Sequence, residues 1–190
     1  NIDLELRTRD LSALQAVTAV ALSTLERNEL LRGLVEAVCT HANLQFGLVM
    51  LPDEDGSRLR IAITHSLGDV PPTEIDIAEG LPGSVAQSHE MRVIDAVESD
   101  IRLLGLESKA PDARMLIALP LIAAGKLWGV AVLGSAEVRE LSPSETQLLS
   151  VFASRAAVGL ERSESIDRLR QAEERERLER LRIQAIIENL

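Results

Sequence analysis

The chain has 190 residues, of which 46% are hydrophobic and 26% are charged, and its formal net charge is −10. This hydrophobic content excludes disorder as the main state, and the length suits one well-buried domain with some chain left over. The acidic balance argues against nucleic-acid binding, because neutralising phosphates requires clustered Lys and Arg side chains.

The first segment, residues 1–27, is predicted to form an amphipathic helix. Leu4, Leu11 and Leu14 recur in it at heptad-like spacing, which is typical of a helix that packs against another helix. We therefore expect a dimerisation helix here. A second helix is expected to begin at Asn28, which is a suitable N-cap residue.

A strand pair follows the second helix. Residues 44–51 are apolar on both alternating faces, as expected of a strand in the centre of a sheet. Residues 59–65 alternate apolar and polar, which indicates a strand with one covered face. This alternation places Leu59, Ile63 and His65 on the same apolar face.

The middle of the chain, residues 67–108, is rich in Gly, Pro and Asp. We expect an irregular region with a short helix near residues 84–87 and a short strand at 92–95. A second strand pair then covers residues 114–122 and 127–134. The apolar stretch in that pair is about long enough to cross a bilayer, but Pro120 and a polar turn divide it into two strands.

The last segment is predicted to be one helical run from Ser142 to the end, roughly 45 residues and about 70 Å long. It opens with a capping box formed by Ser142 and Glu145, with Pro143 at the first helical position. Because a domain of this size is narrower than that helix, its distal half needs a partner helix. We expect residues 163–190 to form a signalling helix or coiled coil.

This order of elements predicts an α+β fold, in which a central antiparallel sheet is flanked by helices and long helices lie at both termini. Several short strings occur in the same order, and they are Glu79-Gly-Leu-Pro-Gly83, Arg92-Val-Ile-Asp95, Asp100-Ile-Arg102, Met115 to Leu121, Gly125-Lys-Leu-Trp-Gly129 and Gly134-Ser135. Together they resemble the GAF domain, the small-molecule-sensing module of signalling proteins. The resemblance implies that residues 28–162 form a GAF-like sensor domain.

The resemblance also implies a noncovalent pocket between the sheet and the loops of residues 67–114. The polar groups nearest to it would be His65, Asp95, Asp100, Arg102 and Arg114. An arginine there could hold an anionic metabolite bidentately, or it could simply pair with a surface carboxylate. Likewise, the loop glycines Gly80 and Gly83 either fold a loop over a ligand or form a plain tight turn.

No known cofactor signature of the family is complete here, so the ligand stays unknown. Some relatives attach a bilin through a Cys beside a His, but Cys39 and His41 lie on the second helix, far ahead of the loops, and we expect no covalent bilin. Haem is also not expected, although His65 leaves that alternative open. Catalytic motifs are absent from the sequence as well, so we expect no enzymatic activity. A single cysteine fits a reducing cytoplasm.

Residues 182–190 resemble the first helix of a PAS domain, which implies a further signalling domain downstream. We therefore interpret the chain as the sensing module of a dimeric protein, such as a histidine kinase of a two-component system. The alternative is a structural dimerisation spacer without a ligand. The residues expected at the dimer interface are Leu4, Leu11, Leu14, Phe152, Leu169 and Ile183.

Overall fold

The computed structural model describes residues 24–188, and within them the side chains of residues 27–170, 172, 173, 175, 176 and 180. The helices are α1 (Thr24–His41), α2 (Gly80–Ser88), α3 (Glu98–Leu103) and α4 (Pro143–Glu188). The strands are β1 (Phe46–Pro52), β2 (Arg58–His65), β3 (Glu74–Asp76), β4 (Arg92–Ile94), β5 (Met115–Ala123) and β6 (Lys126–Ser135). The predicted α+β class is confirmed.

The strands form one antiparallel sheet in the order β3-β2-β1-β6-β5-β4. The two predicted strand pairs, β1–β2 and β5–β6, lie side by side through the pairing of β1 with β6. The turn of the first pair is held by Asp53, whose carboxylate accepts hydrogen bonds from the backbone N–H groups of Ser57 at 2.8 Å and Arg58 at 3.2 Å. Both central strands are buried along most of their length.

Each face of the sheet carries its own apolar core. Alternating residues of β1 divide between the two, with Val49 on one face and Leu48 on the other. The first face, called here the α1/α4 face, packs against helix residues such as Val35 and Ala156. The second, called the α2/α3 face, packs against Val85 and other residues of the two short helices. The domain is therefore a three-layer arrangement with the sheet in the middle.

A β-bulge changes the face that the second half of β2 presents. Met50 pairs with Ile61, whereas the preceding Val49 pairs with Ile63. As a result Leu59 is buried in the α2/α3 core and Ile63 in the α1/α4 core. The prediction that Leu59 and Ile63 share one face was wrong, because an extra residue in a strand reverses the alternation after it.

Some short elements also differ from the prediction. Asn28 lies inside α1 and is not its N-cap, and the short helix expected at 84–87 spans Gly80–Ser88. The region expected to be irregular also contains β3 and α3. Both are held by long-range contacts, since β3 pairs with the edge of β2 and α3 buries Ile101 in the core. Local sequence patterns carry little signal for elements of this kind.

Contacts separate a compact unit, Asn28–Leu160, from a second unit that includes α4 from Glu161 onward. In that part of α4, ion pairs one turn apart join Arg168 to Glu164 and, at 2.5 Å, Arg180 to Glu176. Such pairs support a helix by about 0.2–0.5 kcal/mol each. The long C-terminal helix is thus confirmed over Pro143–Glu188. None of the helices that the structure describes combines the length and apolarity needed to cross a membrane.

Candidate functional site

The space between the sheet and the two short helices, which is part of the region where the sequence predicted a ligand pocket, is filled by the chain's own side chains. Leu48, Leu59, Val85, Leu104 and Leu106 are all fully buried there. Further aliphatic side chains from the sheet and both short helices complete the packing. In this conformation the α2/α3 face is a hydrophobic core.

Asp100, one of the predicted pocket residues, has a structural partner in this core. It lies on α3 with 8% of its surface exposed, and its Oδ1 accepts a hydrogen bond from the backbone N–H of Leu81 at 2.5 Å. Leu81 stands in the first turn of α2, whose own N-cap residue, Glu79, makes no side-chain capping bond. Asp100 therefore caps α2 from another helix, and its charge suits the positive end of the helix dipole.

The two loop glycines are needed for close packing. Gly80 has a φ of 67°, and a Cβ there would overlap the side chains of Leu103 and Asp100. A Cβ at Gly83 would lie 2.8 Å from the carbonyl oxygen of Ile77. These contacts favour the tight-turn interpretation over a loop that folds across a ligand.

The remaining predicted pocket residues do not converge. His65 pairs with Gly47, whose missing Cβ would point at α1, so His65 lies on the α1/α4 face and not on the side of the expected pocket. The side chains of Asp95, Arg102 and Arg114 are exposed. Within the described residues, no hydrogen bond or ion pair joins these side chains to one another. Because of the bulge in β2, His65 shares its face with Ile63 but not, as predicted, with Leu59.

The structure places an open cleft of about 270 Å³ at one end of the sheet. Its polar lining comes from Gln45, Ser66, Lys109 and Asp112, and none of the five predicted pocket residues lines it. The cleft brings together the start of β1, the end of β2 and the loop before β5. Its loop residues 109–113 fall within the region 67–114 in which a pocket against the sheet was predicted. Because the lining segments are distant in sequence, no local pattern indicated which residues would meet there.

A polar junction that sequence reasoning missed lies near this cleft, in the connection between β6 and α4. The guanidinium Nη2 of Arg139 donates to the carbonyl oxygen of Ala42 at 2.6 Å and lies 2.7 Å from Oε1 of Glu145. Glu145 in turn completes the predicted capping box with Ser142, at 2.8 Å and 3.2 Å. Arg139 therefore joins the C-terminal end of α1 to the first turn of α4.

Charge and hydrogen bonding at this junction shift the pKa values of both Glu145 and Arg139. The hydrogen bond from Arg139, with those from Ser142, lowers the pKa of Glu145 to about 2. The hydrogen bond to Glu145 raises the pKa of Arg139 above its ordinary value. Both groups stay charged at neutral pH, so the junction is a charge-assisted contact.

Cys39 is not placed for thiol chemistry. It is buried in the α1/α4 core, and burial raises the pKa of its thiol to about 12. At neutral pH the reactive thiolate is therefore scarcely populated. In the part of the chain that the structure describes, no three His, Cys, Asp or Glu residues cluster in a way that could hold a metal ion.

The residues predicted at the dimer interface fall into different environments. Phe152 is only 4% exposed in the α1/α4 core, so its placement at an intermolecular surface is corrected. Leu169 is 65% exposed. Leu4, Leu11 and Leu14 and the side chain of Ile183 lie outside the described residues.

Other apolar side chains are exposed on the outer surface of the helix layer. Val151 and Val158 on α4 are 46% and 53% exposed, and Leu30 on α1 is 46% exposed. Leu30 reaches Gly159, where a Cβ would lie 2.5 Å from its Cδ2. Because Val151 and Val158 are about two helical turns apart, they share one face of α4. We call Leu30, Val151 and Val158 the outer helix surface.

Comparison with known proteins bears on both the fold and the family. A family model described as the GAF domain matches residues 24–161. The GAF domain of a phosphoenolpyruvate-protein phosphotransferase from Acinetobacter superposes with a TM-score of 0.60 at 17% identity, covering 80% of this chain and 95% of that one. The GAF-B domain of DevS from Mycobacterium smegmatis superposes with a TM-score of 0.59 at 21% identity, covering 75% of this chain and 98% of that one.

Among curated proteins, the formate hydrogenlyase transcriptional activator FhlA of Escherichia coli (strain K12) is 27% identical over 187 residues. The match covers 92% of this chain but only 27% of that protein, so the chain spans about a quarter of the length of the relatives it matches. The family model covers the whole of the compact unit, and the solved GAF structures share its fold. The chain belongs to the GAF domain family.

Proposed function

We propose that this GAF domain is a regulatory module of a longer signalling protein, which responds to a small molecule and passes the response along α4. The observation that carries this proposal is the continuity of α4, which begins at the domain's capping box and runs as one helix of 46 residues to Glu188. A change at the start of a continuous helix can move its whole length. A flexible linker would not transmit such a change.

The composition of α4 supports a transmitting role. Up to Leu160 the helix is anchored by buried side chains such as Leu149, Phe152 and Ala156. Beyond it, apolar residues thin out, and two possible heptad registers compete, one containing Leu169 and the other Leu181. When neither register is strongly favoured, a few kcal/mol is enough to shift the equilibrium between them. Differential binding of a ligand to two states supplies free energy on that scale.

We further propose that the module works as a homodimer through the outer helix surface. Exposed apolar side chains seven residues apart on one face of a helix are typical of an interface between helices. Val151 and Val158 thus replace Phe152 in the predicted interface, since they lie on the outer face of the same helix.

The dimer is tested by light scattering of wild type and of the double variant Val151→Glu/Val158→Glu. We expect a wild-type dimer and a folded monomeric variant, because charges in an apolar interface are costly to desolvate. Val93→Glu is the matched control, since Val93 is exposed to a similar degree on the edge strand β4. A wild-type monomer at high concentration would refute the dimer.

The output of the longer protein is also a proposal. The matched curated relatives are transcriptional activators, which supports a transcriptional output beside the histidine kinase suggested by the sequence. We propose a cytoplasmic location and no catalytic activity within these residues, since the lone thiol is buried and poorly ionised. Expression of the full-length protein and assays for autophosphorylation and DNA binding distinguish the two outputs.

A second candidate is a structural dimerisation spacer, and the packed α2/α3 core favours it. Native mass spectrometry of the purified chain, combined with thermal shift over a metabolite library, separates the two functions. A retained molecule or a ligand-dependent rise in melting temperature supports sensing. A clean apo mass and no shift with any metabolite support the spacer.

A further inference from the structure

The open cleft at the end of the sheet carries opposite charges above an apolar floor. Lys109 and Asp112 line it together with the amide of Gln45 and the hydroxyl of Ser66. Phe46, Ala110, Pro111 and Ala113 supply its apolar part. We propose that this cleft is an effector site for a small zwitterion with the chemistry of a free α-amino acid, and that its occupancy is relayed to α4 through Arg139.

The charges of the cleft are free to bind a ligand. Among the residues that the structure describes, the ion pairs include neither Lys109 nor Asp112. A carboxylate fits the ammonium of Lys109 and an ammonium fits the carboxylate of Asp112, each as a charge-assisted hydrogen bond. A volume of about 270 Å³ admits a molecule of amino-acid size.

Hydrogen bonds join Gln45 of the cleft to the segment that leads into α4. Oε1 of Gln45 accepts a hydrogen bond from the backbone N–H of Ala136, and the backbone N–H of Gln45 donates to the carbonyl of Gly134 at 2.8 Å. Both Gln45 and Ala136 line the cleft. A ligand that engages the Gln45 amide therefore acts on the first residue after β6.

Arg139 lies three residues farther along the same connection. Its guanidinium holds the end of α1 through Ala42 and the capping box of α4 through Glu145. A shift of the connection at Ala136 would change the geometry of these two contacts, and with it the position of the first turn of α4. Arg139 is thus a positioning residue between the cleft and the helix.

Binding is tested by NMR titration of the labelled chain with free L-amino acids, their N-acetyl derivatives and their amides. We expect free amino acids to shift the backbone signals of residues 109–113 and Ala136, and both derivatives, which lack one charge, to bind at least about tenfold more weakly. Equal binding of a derivative that lacks one charge would overturn the zwitterion. No shift at the cleft with any probe would overturn the site.

Charge variants locate the site. Lys109→Met and Asp112→Asn should each weaken binding by about tenfold or more, since each removes a charge-assisted contact. Arg114→Met and Glu107→Gln are the matched controls, because they remove the same charges from exposed residues of the same loop that do not line the cleft. Equal losses of affinity in the control variants would mean that binding depends only on the overall charge of the loop, which contradicts a specific site in the cleft.

The relay, which rests on the proposed function, is tested by hydrogen exchange at residues 143–150. The amino acid should change this exchange in wild type but not in Arg139→Met, which should still bind it. If Arg139→Met folds poorly, the same exchange measurement is made on Arg139→Lys and Glu145→Gln. Binding without any change at α4 in wild type would refute the regulatory function and leave the site standing, whereas a change at α4 without shifts at the cleft would refute the site alone.

Discussion

Phe46 and Gly134 face each other across the β1–β6 pairing, and the ring of Phe46 occupies the space that a side chain at position 134 would need. Phe46 is buried in the α2/α3 core and also forms the apolar floor of the cleft. The absence of a side chain at Gly134 thus determines where an aromatic ring lies in both the core and the candidate site.

Gly134→Ala should destabilise the domain by about 1–3 kcal/mol, because the added methyl group forces Phe46 out of its position. Urea denaturation measures the loss. Gly33→Ala is the matched control in α1, where no atom outside the helix's own nearby backbone lies within 4 Å of the new Cβ, and it should stabilise the domain by about 0.5–1 kcal/mol. Equal effects of the two substitutions would contradict the packing described here.

Asp100→Ala should cost about 1–3 kcal/mol of unfolding free energy, because it leaves the buried backbone N–H of Leu81 without an acceptor. The amide of Leu81 should also exchange faster with solvent than in wild type. Asp95→Ala, an exposed carboxylate nearby, should change stability by less than about 0.5 kcal/mol. An unchanged exchange rate at Leu81 would argue against the capping role.

The contribution of Glu145 to stability should depend on pH. Its pKa falls from the ordinary 4.5 to about 2 in the folded state, chiefly through the hydrogen bond from Arg139. A lowered folded pKa means that the stabilisation is fully present above pH 4.5 and is lost as the pH falls towards 2. The stability difference between wild type and Glu145→Gln should therefore shrink over this interval.

Chemical denaturation at a series of pH values measures this difference. Glu140→Gln serves as control, since Glu140 is exposed beside the same junction, and its stability should follow wild type in parallel. A constant gap between wild type and Glu145→Gln across the acid range would show that the carboxylate has no special partner.

Cys39 should react with a thiol reagent only as fast as the domain opens, because the thiol is buried and its pKa is raised to about 12. Absorbance of the released chromophore follows the reaction, and urea should accelerate it. A Cys39→Ala/Thr40→Cys variant places a thiol at the exposed neighbouring position and should react at once. Fast labelling of wild type without denaturant would be inconsistent with the burial of Cys39.

Features with local signals were predicted well. The capping box at Ser142 and Glu145 depends on residues three apart in the chain, and the structure has both of its hydrogen bonds. The pairing of β5 with β6 likewise depends on neighbouring segments of the chain. Such interactions form within a few residues, so their pattern is present in the sequence itself.

Features that depend on distant residues were predicted poorly. The prediction that His65 shares a face with Leu59 failed because a bulge between Ile61 and Ile63 reverses the alternation, so that His65 lies with Ile63 on the α1/α4 face. The carboxylate of Asp100 was expected to face a ligand, yet it meets the start of α2, nineteen residues away in sequence. On α4, spacing alone did not reveal that Phe152 faces its own sheet while Val151 faces outwards.

The sequence by itself determined the class of fold, the two strand pairs, the long terminal helix and the family, because these depend on periodicity, turn residues and short ordered motifs. Only the tertiary structure decided that the space under the two short helices is a packed core, that Asp100 caps a helix and that a charged cleft lies at one end of the sheet. Each of these features results from packing between segments that are far apart in the chain. They therefore depend on the folded arrangement of the layers, which no local pattern specifies.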